Sequence, residues 1–134
     1  MHASLSFDVA GPGILVAAAV FGFGALVALT LFISFAESIV IFLLKWDKYG
    51  RSLLASLLMN VTSTIFGGIL VAIGALYSSF IWLAVAFVLS VLIEGGILLL
   101  MKRGAARQNW IASLLSNIVS YVLIILPFVW LTSQ

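Results

Sequence analysis

Two of the four acidic residues, Glu37 and Glu94, sit inside long apolar runs. Each is followed by an asparagine flanked by serines: Asn60 with Ser56 and Ser63, and Asn117 with Ser113 and Ser120. An ionisable side chain in an apolar run is costly. It usually faces the interior of a helix bundle, and it commonly marks an ion or substrate path. A carboxyl group paired with an amide supports two kinds of chemistry. It can hold helices together by hydrogen bonds across an interface, or it can take up and release a proton or cation. These eight residues are the candidate intramembrane polar site.

The set is duplicated. The segment ESIVIFLLK starting at Glu37 returns as EGGILLLMK at Glu94, and ASLLMNVTS starting at Ala55 returns as ASLLSNIVS at Ala112. The offset is 57 residues throughout, with no gap, as from Glu37 to Glu94 and from Lys45 to Lys102. Leucine matches alone would carry little weight in so apolar a chain, but the Glu, Lys, Ser and Asn matches carry more. Glu37 lies eight residues before Lys45, and Asn60 nine residues after Arg51. In an antiparallel helical hairpin both then reach a depth of roughly 10–13 Å from the loop. The same holds for Glu94 and Asn117. Ser56, Asn60 and Ser63 fall on one helix face, as do Ser113, Asn117 and Ser120.

The elements that position these residues follow from hydropathy. Apolar runs extend over about 13–44, 53–77, 80–101 and 110–131. The first, at about 1.5 Å per residue, reaches roughly 48 Å, well beyond the ~30 Å hydrocarbon core, so it is expected to tilt or protrude. Alternating polarity is absent, which argues for helices over strands. The fold class expected is therefore an all-α membrane protein of four transmembrane helices. Two tandem helical hairpins form a parallel repeat about a pseudo-two-fold axis along the membrane normal. The whole chain, 1–134, reads as one domain, with repeat 1 at about 20–77 and repeat 2 at about 78–134.

Orientation follows from the basic residues. Lys45, Lys48 and Arg51 lie between the first and second runs, and Lys102, Arg103 and Arg107 between the third and fourth. The termini and the 77–79 connection have none. By the positive-inside rule the loops 45–51 and 102–109 are cytoplasmic and both termini outside, in a cytoplasmic membrane of bacterial or archaeal type. Trp46, Tyr49 and Trp110 are expected in the inner aromatic belt, and Tyr77, Trp82 and Trp130 in the outer one. The N-terminal segment lacks a basic n-region, so the first run is expected to be retained rather than cleaved.

Composition narrows the function classes. The chain is 65% hydrophobic and 7% charged, where soluble domains carry about a quarter charged residues. Net charge is +2 and pI about 9.3. The basic residues are confined to two short loops, so nucleic acid is not the expected partner; the loops instead suit anionic lipid headgroups. There is no cysteine, which excludes thiol chemistry and disulfides. His2, the one histidine, is a poor metal-ligand candidate, so neither metal nor cofactor is expected. No phosphate-binding, nucleophile-elbow or zinc-protease motif occurs, and an enzyme is not expected. Gly22, Gly24, Gly67, Gly68, Gly95 and Gly96 read as close-packing points in preference to flexible spots, and Pro127 as a kink near the end of the fourth run. Asn60-Val61-Thr62 matches a glycosylation sequon that burial in a bilayer would render unusable.

Two functions remain open. The first is a non-catalytic subunit or scaffold of a larger membrane complex, partnered by other subunits or by further copies of the chain as well as by the lipid bilayer. The alternative is a small proton- or cation-coupled transporter or channel using Glu37 and Glu94.

Overall fold

Four helices follow one another along the chain: α1 (Gly11–Leu43), α2 (Tyr49–Ala72), α3 (Phe80–Met101) and α4 (Ala106–Thr132). The computed structural model describes residues 11–72 and 80–132. Residues 1–10, which include His2, the 73–79 connection with Tyr77, and 133–134 lie outside that description, as does the side chain of Trp130. Consecutive helices pack against each other, and α1 closes the ring against α4. Among the described residues, α1 and α3 lie across the bundle from each other, as do α2 and α4.

Among the described residues, three helices are long and apolar enough to cross a membrane, over Ala19–Leu43, Tyr49–Leu70 and Ala84–Met101. Their outer surface is strongly apolar. Phe21 is 79% exposed, Ile81 72% and Leu43 70%. The interior is the reverse: Ser34, Glu37, Ser56, Asn60, Glu94, Asn117 and Ser120 are all buried. A water-soluble bundle would pair apolar faces inside and leave polar ones outside. Here the sense is inverted.

Two helices begin earlier than their apolar runs. α2 starts at Tyr49 rather than near Leu53, and α4 at Ala106 rather than near Trp110. A first helical turn has no intrahelical use for its own N–H groups and tolerates polar residues, so hydropathy places these starts too late. α4 continues through Pro127 to Thr132.

The α1–α2 connection is closed by a Schellman cap. The Trp46 N–H donates to the Ile41 carbonyl at 3.2 Å and the Lys45 N–H to the Phe42 carbonyl at 2.9 Å. Lys45 takes the left-handed conformation, φ 54°, that this cap demands of its C′ residue. The cap also brings Trp46 onto Ile41, the apolar contact such caps favour. In the α3–α4 connection the left-handed residue is Gly104, φ 89°.

That cap accounts for one correction. Trp46 is not an interfacial belt residue, since it is fully buried. It joins Ile41, Ala55, Met59, Leu98 and Ala112 in the apolar core beside the basic loops. Tyr49 and Trp110 keep partial exposure, 38% and 37%, and Trp82 is half-buried. The glycines need a second correction. A Cβ at Gly22, Gly24, Gly67, Gly68 or Gly96 would meet nothing. Gly95 alone of the six is a close-packing point, because a Cβ there would collide with the Trp110 ring.

Candidate functional site

The polar residues assemble in one layer on the side of the apolar core away from the basic loops. Within the first hairpin, Asn60 Nδ2 donates to Glu37 Oε2 at 2.5 Å, and Ser56 Oγ donates to the same oxygen at 3.2 Å. Within the second, Asn117 Nδ2 donates to Glu94 Oε2 at 2.6 Å. Both asparagines also bond the carbonyl one turn back in their own helix, that of Ser56 at 3.0 Å and that of Ser113 at 2.9 Å. This second bond fixes the amide so that its other N–H aims across the helix pair. Ser56 and Ser113 tie their helices to the Ser34 and Val91 carbonyls, each at 2.8 Å; the single Ser56 hydroxyl proton is thus shared between the nearer Ser34 carbonyl and Glu37.

Two further bonds cross between hairpins. Ser63 Oγ donates to Glu94 Oε1 at 2.9 Å, and Ser120 Oγ donates to Glu37 Oε1. Each carboxylate therefore accepts from its own hairpin on one oxygen and from the other hairpin on the second. Every one of these pairings has a counterpart displaced by 57 residues, except that Ser56 reaches Glu37 while Ser113 is bonded only to a carbonyl. Glu37 thus has three side-chain partners, of which Ser56 and Ser120 share their hydroxyl protons with the Ser34 and Ser116 carbonyls, and Glu94 has two.

Among the described residues, neither carboxylate is paired with a basic side chain. Among the described residues the single ion pair is Arg51–Asp47, 2.9 Å, at the loop. Glu37 and Glu94 are 1% and 2% exposed, and a buried carboxylate needs either a proton or a positive partner. Beside them lies a cavity of about 230 Å³. Glu37, Asn60, Glu94, Asn117 and Ser120 form one end of it. Thr30, Thr64, Ser90 and Tyr121 line its middle, and Leu26, Leu29 and Ile124 line it farther from the loops.

Toward the basic loops the layer is sealed. Ile41 and Leu98, each one turn from a glutamate, pack with Ala55, Met59 and Ala112 beneath Trp46. Trp46 Nε1 donates to Asn109 Oδ1 at 2.6 Å, and Asn109 Nδ2 donates to the Lys102 carbonyl at 2.9 Å. Lys102 Nζ donates to the Trp46 carbonyl and lies 5.6 Å from the centre of the Trp46 ring. Arg51 reaches the Met101 carbonyl at 2.7 Å, and Gln108 the Leu44 carbonyl at 3.1 Å. Asp47 accepts from the Lys48 N–H, and this bond, with Arg51 and Lys102 nearby, holds its carboxyl below the usual range.

Sequence reasoning missed Trp46 and Asn109 as a buried pair. A signal for Asn109 was present: it lies four residues before Ser113 and extends the Ser113–Asn117–Ser120 stripe by one turn. Thr30, Thr64, Ser90 and Tyr121, which line the cavity, were also missed. They are weakly polar residues in apolar helices, without a duplicated partner of the same type. The chain matches no family model, no curated protein and no solved structure.

Proposed function

We propose that this chain is a four-span membrane protein whose two basic loops face the cytoplasm, and that it is a small proton- or cation-coupled transporter using Glu37 and Glu94. The inverted surface, apolar outside and polar within, supports insertion. The hydrogen bonds paired at a 57-residue offset support two equivalent hairpins about an axis along the membrane normal.

One observation carries the transport reading: two carboxylates buried without a cation form one end of a cavity. Their donors stabilise negative charge, and burial demands its neutralisation. A proton satisfies that demand, and so does a cation arriving through the cavity, so the two compete for one place. The apolar core and the Trp46–Asn109 bond then act as the closed barrier on the cytoplasmic side. Transport requires a second state in which that barrier opens.

Reconstituted protein is expected to carry a proton or monovalent-cation flux that falls to the protein-free background in Glu37→Gln and Glu94→Gln. Unchanged flux in both folded variants refutes the reading. The scaffold reading keeps one specific support: Ser63 and Ser120 tie each hairpin to the glutamate of the other, as structural cross-links would. It predicts no flux and co-purification with larger membrane subunits in mild detergent.

A further inference from the structure

The cavity borders an apolar groove on one side. Phe23, Val27, Leu31, Leu57, Val61 and Ile65 line that groove, of about 230 Å³, between α1 and α2. Leu26, Thr30 and Thr64 line both the groove and the cavity. Most of the groove residues are exposed, with Phe23 at 68%, so its open side is the outer face of the bundle. The second hairpin is built differently at the same level. The positions 57 residues after Thr30 and Thr64 are Phe87 and Tyr121, whose rings pack edge to face with centroids 4.9 Å apart. Two bulky rings stand where the first hairpin has two threonines.

We infer that the site takes an amphipathic organic cation, an ammonium with an apolar tail, which enters from the bilayer through the α1–α2 groove. The inference rests on the reading of Glu37 and Glu94 as an ion-handling pair. The two chemistries lie in the required order. An apolar tail fits the groove, the small hydroxyl-bearing Thr30 and Thr64 stand between groove and cavity, and two carboxylates with no basic side chain paired to them among the described residues lie at the far end. A small inorganic ion would gain nothing from the apolar groove. An uncharged lipid tail would gain nothing from the carboxylates. The aromatic pair in α3 and α4 restricts lateral entry to one side of an otherwise matched bundle.

The test uses the full chain in lipid nanodiscs, with protein-free discs subtracted. The probes are octyltrimethylammonium, tetramethylammonium, and two photoreactive alkyl probes of equal length, one ending in an amine and one in a hydroxyl. Octyltrimethylammonium is expected to bind about tenfold or more tightly than tetramethylammonium, and Glu94→Gln to weaken it by about tenfold. The double variant Thr30→Phe/Thr64→Tyr, which copies the aromatic pair into the first hairpin, is expected to lose octyltrimethylammonium binding. Photolabelling of the unaltered protein needs no variant to fold. The amine probe is expected to mark 23–31 and 57–65 in preference to the matching stretches of α3 and α4, and the hydroxyl probe to mark them weakly. Equal labelling of both hairpins overturns the inference, as does equal labelling by both probes, which would make the groove a lipid seat only. Binding indifferent to Glu94→Gln or to the double variant also overturns it. Glutamate-dependent proton flux without octyltrimethylammonium binding leaves the transport reading standing and removes this one. Binding as described without flux does the opposite.

Discussion

The two hairpins hold their glutamates in nearly the same way and differ in what surrounds them. Glu37 and Glu94 each receive an asparagine from the same hairpin and a serine from the other. Around that shared centre, large and small residues trade places. Trp110 packs on Gly95 in the second hairpin, while the first has Leu53 and Ser38 at the matching positions. Thr30 and Thr64 face Phe87 and Tyr121 in the same comparison. Two hairpins of matching pattern can differ wherever a size change in one residue is absorbed by its neighbour. They diverge less readily where a buried carboxylate fixes both partners and depth, because each lost donor leaves charge unsatisfied.

The largest effect is expected at Gly95. A methyl group there falls inside the Trp110 ring, and overpacking of that kind costs about 3 kcal/mol. Ser38→Ala, at the matching site, removes a bond from Ser38 Oγ to the Phe35 carbonyl in its own helix and should cost less than about 1 kcal/mol. Unfolding of Gly95→Ala and Ser38→Ala in detergent measures the difference. Gly95→Ala/Trp110→Leu, which makes the second hairpin like the first, should recover most of the loss. Equal stability of the two single variants would break the size-exchange comparison.

The asparagines should rank next, and unequally. Asn117→Ala leaves Glu94 with Ser63 alone, whereas Asn60→Ala leaves Glu37 with Ser56 and Ser120. A hydrogen bond to a charged group contributes about 1.5–3 kcal/mol in general, and bonds between helices in lipid contribute less, about 0.6 on average. Asn117→Ala is therefore expected to lose about 2 kcal/mol and Asn60→Ala about half that, read by the same unfolding measurement. Equal losses would mean that the third donor to Glu37 contributes nothing.

Trp46→Phe follows. It keeps the ring's bulk but leaves the buried Asn109 oxygen without its donor, at about 1 kcal/mol. The residue 57 positions on is Arg103, which is exposed, and Arg103→Ala should be neutral within about 0.5 kcal/mol. A neutral Trp46→Phe would show that the ring closes the loop end by packing alone.

This pair also marks where sequence stops being informative. The depth of each Glu–Asn pair follows from counting residues outward from a loop, because helical rise is constant. Trp46 defeats that logic. A tryptophan just after an apolar run has the same sequence surroundings whether it lies at a lipid interface or folds back under a Schellman cap. The cap is signalled only by a left-handed Lys45, which lacks the usual glycine. The bonds from Ser63 and Ser120 to the opposite hairpin were hidden for another reason. Periodicity assigns residues to a face but does not say which helix that face meets. The glycines misled because glycines with open space beside them and packed glycines look alike in a composition this apolar.

The smallest effect separates the two loops. Asp47 stands in the first loop where the second has Gly104. Its carboxyl is held below the usual range chiefly by the Lys48 N–H, with help from Arg51 and Lys102. A depressed folded value means that the carboxylate form is favoured by folding. Its contribution is complete at neutral pH and is lost as pH falls through the ordinary carboxylate range to the folded value. Asp47 is solvent-accessible and its ion pair with Arg51 is screened by water and salt, so the contribution is small. Thermal unfolding of the parent protein and Asp47→Asn, compared across falling pH, should show a slight advantage for the parent at neutral pH that vanishes in acid. Raised salt should shrink that advantage without abolishing it, because the Lys48 N–H is an uncharged donor, whereas the attraction to Arg51 is between solvent-exposed charges that salt screens. An advantage that grows on acidification would reverse the sign and place the carboxyl in a setting that disfavours its charge.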